Sequence, residues 1–224
     1  MNQTFDSAPG EVDTKERILV TAERLFGEFG FEATSLRQIT SVAGTNLAAV
    51  NYHFQSKHQL VIAVIRRRME PITKQRFAML AQLEAEHPNG PLPAEGVLNA
   101  LLKPLLEIRA SDEEDFQHLQ RLIARIFMQP EDWLKEHFQP AIEETARRFF
   151  GAFQRAFPHH SAEDIQWGIH MMIGAAIHSL GAKSLMKSFP FNEVDMDDVE
   201  QNSSRMVRFF AAGMRAMAKE ERTS

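Results

Sequence analysis

Residues 35–57 read SLRQITSVAGTNLAAVNYHFQSK, and this stretch decides the fold of the chain. Ser35 is a helix-capping residue, with Gln38 at the reciprocal position of a capping box. Ile39, Val42 and Ala43 follow as an apolar stripe at three- and four-residue spacing. The pattern predicts a short first helix with these three residues in the core.

Gly44 ends this first helix, and Asn46 is a good N-cap for a second helix over residues 47–54. In that second helix Val50 and Phe54 point inward, while the residues between them are displayed on the outside. Two short helices joined by one glycine turn have the spacing of a helix-turn-helix, whose second helix fits the major groove of B-DNA.

Composition places the whole chain in the all-α class. It has 224 residues, of which 44% are hydrophobic, and strand-type alternation is nearly absent. The chain has no cysteine, which excludes disulfides and thiolate metal sites. No secretory leader and no apolar run of about 18 residues is present. We therefore expect a soluble, cytoplasmic protein without a cofactor.

The formal net charge of −5 conceals an asymmetry along the chain. Between residues 14 and 68 eight basic side chains face four acidic ones, which leaves +4 there and −9 in the remainder. A cationic segment of this kind can meet phosphates or can simply be a solvated surface. The basic residues are Lys15, Arg17, Arg24, Arg37, Lys57, Arg66, Arg67 and Arg68, and the acidic ones are Glu16, Glu23, Glu28 and Glu32.

The periodicity predicts three parts: a flexible arm (1–13), a three-helix head that contains the helix-turn-helix (14–58) and a larger helical body (59–224). The first helix runs from Thr14 to Gly30, and a long helix over 57–86 contains Pro71, where we expect a kink that serves as a mechanical junction. A loop is predicted at 87–93 (HPNGPLP). The further helices are predicted over 93–110, 112–128, 130–157, 162–188 and 196–219.

The head resembles the TetR family of bacterial transcriptional repressors in its motifs. The matching residues are Ala22, Leu25, Phe26, Gly30, Phe31, Thr34 and Ser35, followed by NYHFQSK at 51–57. The body is similar to PsrA-like regulators in RIFMQP (125–130), WGIHMMIGAAIHSL (167–180) and RFFAAGMRA (208–216). The family resemblance implies a homodimer on a palindromic operator, released from DNA when the body binds a small molecule. The PsrA-like branch implies a fatty acid or acyl thioester and genes of lipid metabolism.

Carried over residue by residue, the resemblance implies DNA contacts by the helix starts, the recognition helix and the lysine after it. Asn51 departs from the family pattern, in which tyrosine is more usual, and an asparagine can pair with adenine N6 and N7. Arg37 can reach a guanine edge or a phosphate, while His53 fits the core as well as DNA. The expected DNA-binding residues are Thr34, Ser35, Arg37, Thr45, Asn46, Leu47, Asn51, Tyr52, His53 and Lys57.

The body carries more large and flexible apolar residues than a simple bundle seam requires, so they can line an acyl pocket or fill a core. Arg121 and Arg125 could turn inward to a carboxylate or phosphate, or could pair with neighbouring glutamates. The expected ligand-binding residues are Leu105, Arg121, Arg125, Met128, Trp133, Phe150, Phe153, Trp167, Met171 and His178.

Small residues make one side of each of the last two helices thin, which permits either a four-helix dimer interface or ordinary packing within the chain. The expected interface residues are Gly174, Ala175, Gly181, Phe209, Phe210 and Gly213. His170 and His178 lack a third ligand, so we expect no metal site. The sequence has no GxSxG elbow and no glycine-rich phosphate loop, which argues against an enzyme, whereas a constitutive DNA-binding protein without a ligand stays open.

Overall fold

The structure, a computed structural model, describes residues 13–107, 132–190, 193–195 and 197–217. Within these ranges every regular element is a helix, which confirms the all-α prediction. The chain divides into two compact units, one that ends at Arg67 and one that begins at Arg68. No helix in the described ranges combines the length and the hydropathy that a membrane span needs.

The first unit is built from three short helices and the beginning of a long one. They are α1 (Thr14–Phe29), α2 (Leu36–Val42), α3 (Leu47–Phe54) and the first third of α4 (Lys57–Glu86). Its core consists of buried apolar side chains from all four helices: Ile18, Leu19, Ala22, Leu25, Phe26, Ile39, Ala43, Val50, Phe54, Leu60, Val61 and Val64.

Short polar side chains fix where these helices begin. Ser35 accepts a hydrogen bond from the backbone N–H of Gln38 at 3.1 Å, and Asn46 accepts one from Ala49 at 2.9 Å. Each of these bonds satisfies one of the backbone donors that a helix start leaves free. Both caps are confirmed. Val42, by contrast, was wrongly placed in the core, because half of it is exposed where α2 ends.

The second unit contains the remainder of α4, through Pro71, together with α5 (Ala94–Glu107), α6 (Asp132–Ala156), α7 (Ala162–Ser188) and α8 (Val199–Ala216). The bounds predicted for α7 are confirmed, and α8 is shorter than predicted at both ends. The helix predicted over 112–128 lies outside the described residues.

The core of the second unit joins all five of these helices in one apolar cluster. Its largest fully buried members include Leu80, Leu98, Phe149, Phe153 and Met172. The capping box predicted for α7 is present, since the side chains of Ser161 and Asp164 each accept from the other residue's backbone N–H. The Arg155 guanidinium on α6 donates to the carbonyl oxygens of His87 and Gly90. These bonds connect α6 to the loop between α4 and α5.

Candidate nucleic-acid interface

The second helix of the pair, α3, has one buried face and one open face. Val50 and Phe54 are buried in the first unit, whereas Asn51 and Tyr52 are exposed, Tyr52 by 84% of its surface. The helix has only eight residues, and the side chains of Val50 and Phe54 anchor it to the core. The polar side chains of its open face remain available to base edges or phosphates.

Gly44 shapes the turn that connects α2 to α3. Its φ of +61° lies in the left-handed region, and the N–H of Thr45 donates to the carbonyl of Thr40 at 2.9 Å. This bond closes the C-terminus of α2 in the manner of a Schellman motif. A Cβ added at Gly44 would meet no heavy atom within 4 Å, so the backbone angle, not space, calls for glycine here.

Thr34 does not face DNA, and the expectation that its hydroxyl contacts a phosphate is wrong. The side chain is fully buried, and its oxygen lies 2.7 Å from the carbonyl oxygen of Gly30 and 3.1 Å from that of Leu25. The single O–H therefore donates to the C-terminal end of α1. Thr34 connects the end of α1 to the start of α2, and its side chain is not accessible to a phosphate.

The other expected contacts at the helix starts are accessible. Ser35, Arg37, Asn46 and Leu47 are exposed, and Thr45 is half-buried. The side-chain oxygens of Ser35 and Asn46 are engaged as helix caps, so these two residues can offer a phosphate chiefly the donors near the helix N-termini. Arg37 keeps an exposed guanidinium.

At the end of α3 two expected contact residues lie against other side chains of the first unit. His53 is half-buried, and its ring centroid lies 5.0 Å from that of Tyr52. The Lys57 ammonium is 4.3 Å from the centre of the Phe31 ring, in cation–π geometry, and 3.4 Å from the Glu32 carbonyl oxygen. His53 therefore packs against the Tyr52 ring. The contacts with Phe31 and Glu32 fix the position of the Lys57 ammonium.

Not every cation of the basic segment is available to a phosphate. Arg67 on α4 pairs with Glu16 on α1 and, through Nη1, with the Glu23 carboxylate at 3.2 Å. Glu23 is buried, so this cluster connects α4 to α1 and cancels part of the local charge. Sequence counting could not show this pairing. The exposed cations are Lys15, Arg17, Arg24, Arg37 and Arg66.

Two family profiles match the chain. One is described as bacterial regulatory proteins of the tetR family and covers residues 18–64, and the other as a tetracyclin repressor-like C-terminal domain and covers residues 99–213, just over half of the chain. This chain belongs to the TetR family. It is a DNA-binding transcriptional regulator, not an enzyme.

Characterised relatives of this TetR-family protein are also regulators. CymR of Pseudomonas putida, an HTH-type transcriptional regulator, is 25% identical over 204 residues, which cover 88% of this chain and 93% of CymR. The HTH-type transcriptional repressor BepR of Brucella suis is 34% identical over 101 residues. The match with BepR spans only 45% of either chain.

Solved structures share the fold of this TetR-family chain. Mycobacterium smegmatis AmtR superposes with a TM-score of 0.58 at 14% identity, covering 93% of this chain and 95% of AmtR. SmeT, solved as a triclosan complex, superposes with a TM-score of 0.61 at 20% identity, covering 89% and 90% of the two chains. These identities support a common fold and nothing finer.

The seven expected ligand-binding residues that the structure describes divide between the inside and the surface of the second unit. Leu105 and Phe153 are buried in the core of the second unit, and Trp133 and Phe150 are half-buried. Three more, Trp167, Met171 and His178, lie on the exposed face of α7, so their assignment to a pocket is wrong for the chain as described. Arg121, Arg125 and Met128 lie outside the described residues.

Three of the six expected interface residues, Gly174, Phe209 and Gly213, are exposed on α7 and α8. Gly174 on α7 and Gly213 on α8 are exposed, and a Cβ added at either one would meet no heavy atom within 4 Å. Phe209 is 73% exposed, whereas Ala175 and Phe210 are half-buried. Gly181 belongs to α7 as well.

Proposed function

We propose that this TetR-family protein is a homodimeric repressor that binds a palindromic operator and leaves it when an acyl ligand occupies the second unit. The observation that carries the DNA-binding part is the open face of α3, where Asn51 and Tyr52 are exposed beside a buried Val50 and Phe54. A regulator of this kind works where the chromosome is, so the proposal includes a cytoplasmic location.

Asn51 is the residue that we expect to read a base. Replacing Asn51 with alanine should reduce affinity for an operator selected from a random duplex pool far more than affinity for random duplex, because a bidentate contact to adenine contributes about 1–3 kcal/mol of discrimination. Both affinities are measured by titration at one fixed ionic strength. Gln82→Ala, at an exposed position of α4 in the second unit, is the matched control. Equal losses on both duplexes would refute a base-reading role.

The residues that we propose to contact phosphates no longer include the buried Thr34. The set consists of Ser35, Arg37, Asn46 and Lys57, and Thr45, Leu47, Tyr52 and His53 are the further proposed DNA contacts. Phosphate contacts set register without reading sequence. Arg37→Ala should therefore weaken binding to all duplexes and make the salt dependence of binding less steep.

An exposed apolar face on α7 and α8 supports the homodimer. Trp167, Met171 and Gly174 follow one another at four- and three-residue spacing on α7, and Phe209 and Gly213 do so on α8. A face this apolar is costly to leave in water, and the small residues allow close approach of a second copy. We propose that the two helices of each protomer form a closed, two-fold four-helix contact, which Ala175, Gly181 and Phe210 border.

The acyl ligand is the finer part of the proposal. Its support is the resemblance to PsrA-like regulators, the large apolar cluster of the second unit and the existence of a protein of this fold in complex with triclosan. We propose a fatty acid or an acyl thioester as the inducer and genes of lipid metabolism as the targets. Of the expected pocket residues, Leu105, Trp133, Phe150 and Phe153 fit this role.

Release requires the ligand to prefer a protomer geometry in which the two heads no longer match successive major grooves, about 34–36 Å apart. We propose that the preference is transmitted along α4, which contains Pro71. Reciprocity then requires operator DNA to weaken ligand affinity by the same factor. Titrating the operator with and without oleate or an oleoyl thioester tests this, and unchanged operator affinity with both ligands would remove the inducer.

A further inference from the structure

Arg76 occupies a position in α4 where an apolar residue is expected. It lies four residues after Ile72 and four residues before Leu80, and both of these side chains are buried in the core of the second unit. Residues four apart share one face of a helix, so Arg76 belongs to the row that packs inward. The residue as a whole is partly buried.

The guanidinium of Arg76 has one protein partner among the described residues. Its Nε–H donates to the carbonyl oxygen of Leu101 on α5 at 2.8 Å. A guanidinium carries five N–H donors, so the two Nη groups still have four to offer. The acid at this end of α5, Glu107, is already bound by Gln75 and Lys103. No described carboxylate pairs with Arg76.

Burial lowers the pKa of the Arg76 guanidinium to about 10, and no acidic partner among the described residues opposes the shift. The group therefore remains a cation at neutral pH, in partly apolar surroundings and without a counter-charge from residues 13–107, 132–190, 193–195 or 197–217. Two other arginines of this unit differ in this respect, since Arg148 is paired with Glu84 and Arg215 with Glu95. A charge that is removed from water without a partner costs free energy. A ligand that supplies the counter-charge would offset this cost.

A structural role explains only part of this arrangement. Pro104 lies in the last turn of α5 and lacks a backbone donor, and Arg76 binds the same helix through the carbonyl of Leu101. That role uses a single N–H and does not require a permanent charge. The remaining fork of donors matches the two oxygens of a carboxylate.

We propose that Arg76 anchors the carboxylate of a long-chain acid whose hydrocarbon chain lies among the apolar residues of the second unit. This inference rests on the proposed ligand response and narrows it. A thioester has one neutral carbonyl oxygen in place of a carboxylate, so it cannot form the bidentate ion pair. The preferred inducer is therefore the free acid.

The test compares oleate with methyl oleate, which differs by the loss of the charge, as agents that release the full-length protein from operator DNA. Wild-type protein should respond to oleate at a concentration about tenfold or more below that of the ester, since a hydrogen bond to a charged group is worth that much. Arg76→Gln should abolish the difference, and Arg76→Lys should restore part of it. Lys74→Gln, which removes an exposed cation from the same helix, should retain it.

The outcomes separate this inference from the proposed function. Release by oleate that is equally effective on wild type and Arg76→Gln would overturn the anchor and leave the inducer in place. Equal potency of oleate and methyl oleate on wild type would overturn the anchor without any variant, even if Arg76→Gln fails to fold. Tighter, Arg76-dependent binding of oleoyl coenzyme A would assign the arginine to a phosphate and overturn the carboxylate. No release by any of the three ligands would overturn the proposed function and the anchor with it.

Discussion

At the scale of single residues, Thr34 connects two helices of the DNA-binding head. Its hydroxyl donates to backbone carbonyls at the end of α1 from a fully buried position. Thr34→Val keeps the shape and removes the donor, so it should lower the free energy of unfolding by about 1–3 kcal/mol. Urea denaturation followed by circular dichroism measures the change. Thr34→Ser, which keeps the hydroxyl, should lose less. If valine were as stable as threonine, the hydrogen bond would not support the head.

Gln55, directly after the recognition helix, has a backbone conformation that favours glycine. Its φ is +64°, and the N–H of Ser56 donates to the carbonyl of Phe54 at 2.7 Å across it, which is a γ-turn. A non-glycine residue in such a conformation costs about 1–3 kcal/mol. Gln55→Gly should therefore raise the urea midpoint of the protein. An unchanged or lower midpoint would mean that the Gln55 side chain stabilises the turn by more than the backbone cost.

Residue-scale prediction from sequence succeeded where the chemistry is local. The caps Ser35 and Asn46 act on backbone groups three residues away, so the sequence contains both partners. It failed for Thr34, whose second acceptor, the Leu25 carbonyl, is nine residues away and becomes close only when α1 and α2 pack. The ion pair between Arg67 and Glu23 was invisible for the same reason.

At the scale of helices, α7 packs against Met214 of α8 at Gly168. A Cβ added there would lie 2.0 Å from the sulfur of the buried Met214 side chain. Gly168→Ala should lower the free energy of unfolding by about 1–3 kcal/mol, because overpacking exceeds the gain in helix propensity. Thermal and urea unfolding measure the effect.

Gly151 in α6 provides the matched control, since a Cβ there would meet nothing within 4 Å. Gly151→Ala should raise stability by up to about 1 kcal/mol through helix propensity alone. A stable Gly168→Ala variant would show that Met214 can move aside and that α7 and α8 are not tightly matched at this point.

The sequence predicted the bounds of α7 but not its orientation. The capping box at Ser161 is a local signal, whereas the helix carries apolar residues on every side, so periodicity could not separate the face that packs inward from the face that stays open. Trp167 and Met171 were consequently assigned to a pocket. Burial of Met172 and Leu180 shows which face the core selects.

At the scale of the whole molecule, the DNA-binding helices and the large apolar cluster belong to different units of the chain. The first unit has the helix-turn-helix, and the second has the large apolar cluster. Composition and motifs were sufficient to predict this division of labour. They could not locate the ligand, since pocket and core use the same residue types.

The proposed dimer interface can be tested at Phe209. Phe209 is 73% exposed on α8, and in a two-fold contact a glutamate there would bring two like charges close to apolar surface. Phe209→Glu should therefore convert the dimer to monomers in analytical ultracentrifugation. Operator affinity should fall about 100-fold or more, because each head would then bind its half-site without the advantage of linkage.

Ile142→Glu places the same charge on another exposed apolar position, in α6, outside the proposed contact, and should leave both the dimer and the operator affinity unchanged. Affinity for a single half-site separates the two effects of Phe209→Glu, since it depends on the head alone and should stay at the wild-type level. A Phe209→Glu protein that still sediments as a dimer would place the interface elsewhere on the molecule. Loss of half-site binding would instead point to a damaged fold, which circular dichroism would reveal.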